Sequence, residues 1–537
     1  MIVIDKKYKW KTIKLNNYIV HYIGSIKELN PIIQDIDNRS DSLSYNDIDI
    51  LLDNFMIPGA VIMESSKYII AFVDHVRCYP IFYTNTGDFI ISNSARKLRN
   101  LIKNKRDYSF DERSLKEFTM SGYVTGYSTL IRGLNQFQSG ERLILIKEFN
   151  SLDVKRYYRY TPQPDLSKSD DEWIEELDVV MNNVTMRMID RADNRAIRVT
   201  LSAGLDSRVL VCKLHEFKYK FLECFSYGPK WNWEARGARK VAKRLNIPWS
   251  QINLSHKKSY NLFWKPGRRE YWDFSDGLSS LVNYQEFFPL CVIKKNNNIS
   301  DNVILINGQS GDFITGGHIP KSLLVKEANI EIMLDEIIKK HYSLWKNILT
   351  EDRLNFIKEK ILSLMEISLD DKLSSTELIA LYEQWEYEER QVKWVVQGQR
   401  AQDFFGYDWQ MPLWDIELVK FYEKVPVHLK IDQNLYKLWL EKWNYKGLFI
   451  DFNPIVWRWP GVSIVVVPIA KIIGIFLGKK RKKSWYELFY YWGHGMEHYA
   501  PYSYYEYFKL RKKIRNFIPL HMKTWFKENK APLKFLG

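Results

Sequence analysis

The sequence predicts an α/β protein in three stretches. A strand-rich, layered amino-terminal domain spans residues 1–160, and a parallel-sheet domain with a helical carboxyl part spans 170–450. A basic, aromatic extension covers 451–537. Three observations carry this. The first 160 residues are dense in β-branched and aromatic runs broken by turn residues. From Ala196 onwards, apolar runs alternate with helix-patterned stretches, which argues for parallel strands joined by crossover helices. Two of those runs, Ala196-Ile197-Arg198-Val199-Thr200 and Val303-Ile304-Leu305-Ile306, each end in a loop of small polar residues bearing one carboxylate.

Taken in order, residues 18–22, 59–63 and 68–73 read as strands. Residues 81–84 and 89–92 flank Asn85-Thr86-Gly87-Asp88, a hairpin turn by composition. Thr161-Pro162-Gln163-Pro164 with 167–171 reads as a linker. Residues 172–191 show helical apolar spacing at Trp173, Leu177, Val180 and Met181. A helix is expected over 208–217, and 325–405 reads as almost wholly helical.

At 537 residues the chain is long enough for two to four domains and a large core. Its four cysteines, Cys78, Cys212, Cys224 and Cys291, show no paired spacing, so buried reduced thiols are expected rather than a metal or disulfide framework. The amino-terminal residues lack the apolar core of a secretory signal, and a cytoplasmic location is expected. Net charge is +15, densest at Lys479-Lys480-Arg481-Lys482-Lys483. That run follows the apolar stretch 461–477, which Pro468 and Lys471 interrupt. Residues 461–483 thus suit either an ordinary solvated surface or peripheral contact with an anionic inner membrane face. Nucleic acid is not an expected partner, because no zinc knuckle, aromatic RNA-recognition motif or long basic stripe accompanies the charge.

The loop Leu201-Ser202-Ala203-Gly204-Leu205-Asp206-Ser207 joins a buried strand to a helix start. Such a loop frees backbone N–H groups to cradle phosphates at the positive helix end. Ser202 and Ser207 add hydroxyls, Gly204 lets a pyrophosphate approach, and Asp206 suits a Mg²⁺ held against phosphate oxygens. The second loop, Asn307-Gly308-Gln309-Ser310-Gly311-Asp312, repeats the design. In a doubly wound sheet the carboxyl ends of neighbouring strands share one crevice, which would bring Asp206 and Asp312 to one metal–phosphate group.

These loops resemble those of the asparagine synthetase family, whose first loop reads Ser-Gly-Gly-x-Asp-Ser and whose second reads roughly Ser-Gly-Glu-Gly-x-Asp-Glu. The resemblance extends to Cys224-Phe225-Ser226-Tyr227-Gly228, to Glu234 with the helical 235–242, and to 405–415, which is similar to the family's Glu-x-Arg-x-Pro-Phe-x-Asp segment. Residues 74–83, 94–98, 133–146 and 156–158 look like its amidotransferase domain, so coverage runs over roughly 15–440. The resemblance implies an Ntn-hydrolase-like first domain and an ATP-pyrophosphatase second domain. It implies MgATP with its triphosphate on Ser202, Gly204, Asp206 and Ser207, and with Leu201, Ile252, Asn307 and Gly308 against the adenosine. Asp206 and Asp312 would share the metal. A carboxylic acid would be activated as an acyl-adenylate and passed to ammonia or an amine.

The chain also departs from the family. Its glutamine-dependent members carry a catalytic cysteine at position 2, where this chain has Ile2, so no glutamine hydrolysis is expected and a separate ammonia-supplying protein is a possible partner. Gln309 replaces a Glu and Phe313 another, so Asp408 is the expected proton acceptor. For the family's late lysine, Arg458 in Trp457-Arg458-Trp459-Pro460-Gly461 is expected, with Lys437 second. Three readings stay open: an amide-forming ligase acting on aspartate or on a sugar acid of a surface polysaccharide, a silent nucleotide-binding homologue, and a tRNA-modifying enzyme with the same loop.

Overall fold

Alternation along the strands decides how the amino-terminal half stacks. The computed structural model describes all residues except 40–43, 54, 56, 85–86, 104–108, 231, 297–301, 453–462, 491–501, 511 and 537. Strands β1 (Ile2–Val3), β2 (Lys11–Lys14), β3 (Ile19–Gly24), β4 (Gly59–Glu64), β5 (Tyr68–Val73), β6 (Phe82–Thr84), β7 (Ile90–Ser92), β8 (Leu134–Gln136), β9 (Glu141–Ile146) and β10 (Ser151–Arg156) form two sheets. Their orders are β1-β7-β6-β8 and β10-β9-β5-β4-β3-β2. Val61, Met63, Ile70 and Phe72 point to one face of the larger sheet and pack on Leu29, Ile33, Ile48 and Leu52 of helices α1 (Ile26–Asn38) and α2 (Tyr45–Asp53). Their neighbours Ala60, Ile62, Ala71 and Val73 point the other way, onto Ile81, Tyr83, Ile91 and Phe137 of the smaller sheet. Phe82 and Ile90, on that sheet's far face, meet Leu98 and Phe118 of α3 (Ala95–Lys103) and α4 (Glu112–Ser121). Period-two patterning thus builds a four-layer stack of helix, sheet, sheet and helix. Ile2 is packed against the cluster between the sheets. The expected hairpin forms, with Phe82 opposite Ser92, although Asn85 and Thr86 of its turn lie outside the described residues.

Residues 161–171 do not behave as a free linker. Gln163 N–H donates to the Glu423 carbonyl at 2.7 Å and Asp165 N–H to that of Lys424 at 2.8 Å. Ser169 and Glu172 then form a reciprocal capping box that starts α5 (Asp170–Ala192), whose Trp173, Leu177, Val180 and Met181 are buried as their spacing predicts.

The third sheet, in the second domain, is parallel throughout: β11 (Ala196–Thr200), β12 (Leu222–Gly228), β13 (Trp249–Asn253), β14 (Val303–Ile306) and β15 (Asp408–Gln410), in the order β13-β12-β11-β14-β15. Since β11 lies between β12 and β14, the switch point of the sheet falls at the carboxyl ends of β11 and β14. Helix α6 (Leu205–Glu216) starts three residues earlier than its apolar pattern predicts, so Asp206 and Ser207 belong to its first turn. Helix α7 (Trp233–Leu245) follows β12.

The two domains share a wall. Segment 276–286 of the second domain bonds to the first by three backbone hydrogen bonds: Val124 N–H to Ser279, Leu130 N–H to Leu278 and Leu281 N–H to Gly122, at 2.6–2.8 Å. Asp276, 3 % exposed, anchors this wall. Its carboxylate accepts from Arg96 of α3 at 2.5 Å and from Trp525 Nε1 at 2.7 Å. Within the carboxyl-terminal stretch, the helix Ile518–Glu528 packs Trp525 and Phe526 against Phe118 of the first domain.

Asp276→Ala leaves Arg96 and the Trp525 indole without their shared acceptor. The expected cost is about 3 kcal/mol, read as a lower urea midpoint.

Candidate active site

Both strand-end loops converge at the switch point. Helix α6 opens at Gly204 with no side-chain cap, and its first N–H groups have no partner within the helix. The loop holds itself in shape: Ser207 Oγ accepts from Ser202 N–H at 3.0 Å, and Ser202 Oγ accepts from Gly204 N–H at 3.1 Å. Arg208, 3 % exposed, pins it from below, donating to the Ala203 carbonyl at 2.6 Å and to that of Leu448 at 2.8 Å.

The second loop lies directly against the first. A Cβ on Gly308 would stand 2.6 Å from Ser207 N, and one on Gly311 would stand 2.5 Å from Asp206 Cγ. Both positions accept only glycine, and the predicted approach of the loops is real. The Asp206 carboxyl group lies against Gly311, while the Asp312 carboxylate is turned outward onto His318 Nε2 at 3.1 Å. His318 Nδ1 in turn meets Glu386 at 2.6 Å, and Lys340 closes the chain on Glu386 at 2.7 Å. Burial opposes the Asp312 charge, yet the His318 hydrogen bond and charge hold its carboxyl below the usual carboxylate range.

A cavity of about 260 Å³ opens between these loops and the wall. Of the residues singled out in the sequence, Leu201, Ser202, Gly204, Asp206, Ser207, Asn307 and Gly308 line it. Ile252 does not; it pairs with Tyr227 in β13, one strand behind the lining. Asp408 requires a correction. It pairs with Ile304 at the amino end of β14, and its carboxylate meets Lys9 at 3.0 Å and Arg195 at 2.6 Å. That is the opposite end of the strands from the cavity, so Asp408 takes no proton there. Lys437 is exposed and turns its ammonium onto the Asp432 carbonyl at 2.5 Å. Arg458 lies outside the described residues.

Several lining groups escape the sequence patterns. Tyr227 donates its hydroxyl to Glu286 at 2.9 Å and accepts from Gln285 at 3.1 Å. Gln309 donates to the Val395 carbonyl at 2.8 Å and accepts from Gln399 at 2.6 Å, so it braces the loop. Two signals were available for Glu286 and Tyr227. Glu286 is a charge set between aromatic residues in Tyr284-Gln285-Glu286-Phe287-Phe288, and Tyr227 lies near the end of a strand-like run. Nothing local marks Gly398 or Gln399.

No lysine, arginine or histidine lines the cavity among the described residues, whereas Asp206, Glu234 and Glu286 do. Burial first, then the neighbouring Asp312 charge, raises Asp206 to about 7. Burial raises Glu286 to about 7 and also lifts Glu234. A nearly buried carboxylate without a cationic partner, beside free helix N–H groups, fits a divalent cation delivered with phosphates.

A family model for asparagine synthase matches residues 177–459, more than half of the chain. The chain belongs to the asparagine synthase family. The matched stretch contains both loops, the wall and α6, and stops within the undescribed segment that holds Arg458. No curated protein matches the chain. Among solved structures, the chain is 9 % identical to one described as the allosteric regulatory enzyme of purine biosynthesis. There it covers 46 % of this chain and 57 % of that one, with a TM-score of 0.18. It is also 9 % identical to a glutamine phosphoribosylpyrophosphate amidotransferase from B. subtilis complexed with ADP and GMP, over 57 % of this chain and 59 % of that one, with a TM-score of 0.15. The chain thus spans less than two thirds of either structure.

Asp206 and Glu286 titrate near 7 in the fold against roughly 4 in an unfolded chain. Each contributes stability that is complete below about pH 4 and lost as pH rises through 7. Asp206→Asn removes one such loss, so its stability falls less between pH 5 and pH 8 than the parent's. The difference, on the order of 3 kcal/mol, is measured by urea unfolding at both pH values. Gly308→Ala forces the loops apart, and nucleotide should then no longer raise the melting temperature.

Proposed function

We propose that the protein is an ATP-dependent amide-forming ligase that activates a carboxylic acid as its acyl-adenylate. The observation that carries this is the pairing of the 201–207 and 307–312 loops around a cavity lined by Asp206 and, among the described residues, by no basic side chain. Bound magnesium would neutralise the phosphate charge that these walls leave unmatched. Asp206 would be its ligand from this chain; a place for Asp312 beside it would require the Asp312 carboxylate to leave His318.

The substrate carboxylate attacks the α-phosphorus while the bond from that phosphorus to the bridging oxygen breaks, releasing pyrophosphate. The N–H groups at the start of α6, with Ser202 and Ser207, orient the phosphates. An amine or ammonia then attacks the acyl carbon, and AMP leaves with the bonding pair. The attacking nitrogen must lose a proton, and Gln309 takes none. Glu286 is the proton acceptor in this scheme, poised near 7 and oriented by Tyr227. Ammonia would come free or from a partner. Cys78, the one thiol of the first domain, is 1 % exposed and pushed well up by burial and by Asp74, which suits no glutamine hydrolysis.

The bracing of Gln309 and the outward turn of Asp312 favour one competing reading, a homologue that binds nucleotide without catalysis. ATP–pyrophosphate exchange with a panel of carboxylates, including aspartate and uronic acids, separates the two. A ligase exchanges label with its own acid, and Asp206→Ala lowers the rate by roughly a hundredfold or more. No exchange with any acid, alongside intact ATP binding, overturns the ligase reading.

For amide formation, Glu286→Gln is expected to cut kcat by about a hundredfold and to erase the acidic limb near pH 7, while pyrophosphate exchange persists. Unchanged pH dependence would remove Glu286 from this role.

A further inference from the structure

The helix Ser463–Tyr490 is not one rod. At Gly478 the backbone turns to φ +83°, ψ 167°, a conformation that only glycine adopts without strain. The chain doubles back there: a Cβ on Gly474 would lie 2.7 Å from Lys482 Cδ and 3.1 Å from Lys482 Cβ. Positions four before and four after the break are thus in contact, and the segment is a helical hairpin. Ala470, fully buried, and Gly474 lie one turn apart on the face that admits such close packing.

The other face has no such cover. Ile469, Ile472 and Phe476, spaced as one helical stripe, are 42 %, 54 % and 80 % exposed, and Ile475 and Leu477 at the tip are 78 % and 54 % exposed. Lys479, Arg481 and Lys483 begin the return arm in exposed positions, and Lys471 is exposed on the first arm. Residues 452–486 contain no Asp or Glu. Among the described residues, no helix is long and apolar enough to cross a membrane.

We propose that this hairpin seats the protein on an anionic lipid surface, tip first. Ile472, Ile475, Phe476 and Leu477 enter the boundary between headgroups and acyl chains, and Lys479, Arg481 and Lys483 stay among the anionic headgroups. Large apolar side chains at a contiguous tip gain from leaving water, and an adjacent cationic collar, in a stretch without acid from 452 to 486, favours an anionic counterpart. A second copy of the chain is a poor occupant, because it would bring the same positive collar to the contact. This proposal stands apart from the reaction, since the hairpin contributes nothing to the described lining of the cavity.

The test is flotation of the full chain with phosphatidylcholine vesicles, with and without phosphatidylglycerol. The protein should float with the anionic vesicles at low salt, remain below with the neutral ones, and release as salt rises. Ile475→Glu with Phe476→Glu should lower the bound fraction roughly tenfold while circular dichroism shows an unchanged melting temperature. Lys479→Glu with Arg481→Glu and Lys483→Glu should do the same, and Phe476→Leu should restore wild-type binding. No flotation with anionic vesicles, or flotation indifferent to the Ile475 and Phe476 substitutions, overturns the proposal. So does sedimentation showing a dimer that Phe476→Glu dissociates, which would make the tip a contact between copies.

Discussion

The structure depends on one steric constraint: two backbone loops, a hundred residues apart in sequence, are in van der Waals contact at the switch point of the parallel sheet. Gly308 against Ser207 N and Gly311 against the Asp206 carboxyl group leave no room for any side chain. That contact buries the Asp206 carboxylate, closes one end of the cavity, and fixes the first turn of α6 beneath it. A methyl group at either glycine would separate strands β11 and β14 at their carboxyl ends, where their register places the loops side by side.

Electrostatics follow from that burial. The loops supply helix N–H dipoles and hydroxyls, while the walls supply carboxylates and neutral amides. Among the described residues the cavity therefore carries negative and neutral groups, and under the proposed reaction charge would act as a filter on the form in which a polyphosphate arrives. Positive charge is spent elsewhere: Arg208 holds the loop by its carbonyls, and Lys340 with His318 neutralises the buried Glu386.

Much of this was legible in the sequence because the relevant signals are local. Strand-to-helix loops, small residues and β-branched runs are short-range features, and they located Ser202, Asp206, Ser207, Asn307 and Gly308 at the cavity. Alternation gave the layered half, since period-two burial is set by each strand alone. What failed was long-range. Asp408 follows Gly406 and Tyr407 into an edge strand, and only the parallel register with Ile304 shows that it faces the wrong end of the sheet. Glu286 comes from a segment with no strand or loop motif, and it reaches the cavity through the bonds of segment 276–286 to the other domain. Residues 161–171 looked like a linker because composition reports solubility, not the carbonyls of Glu423 and Lys424 that pin them.

The wall at 276–286 has a consequence for how the chain tolerates change. Its outer edge is completed by Gly122, Val124 and Leu130, and its inner edge carries Asn283, Gln285 and Glu286 into the cavity. The first domain is therefore a buttress of the cavity whatever chemistry it performs on its own. A lineage that loses catalysis there has no freedom to discard the domain, and drift in its sheets registers as altered grip on a ligand bound in the other half.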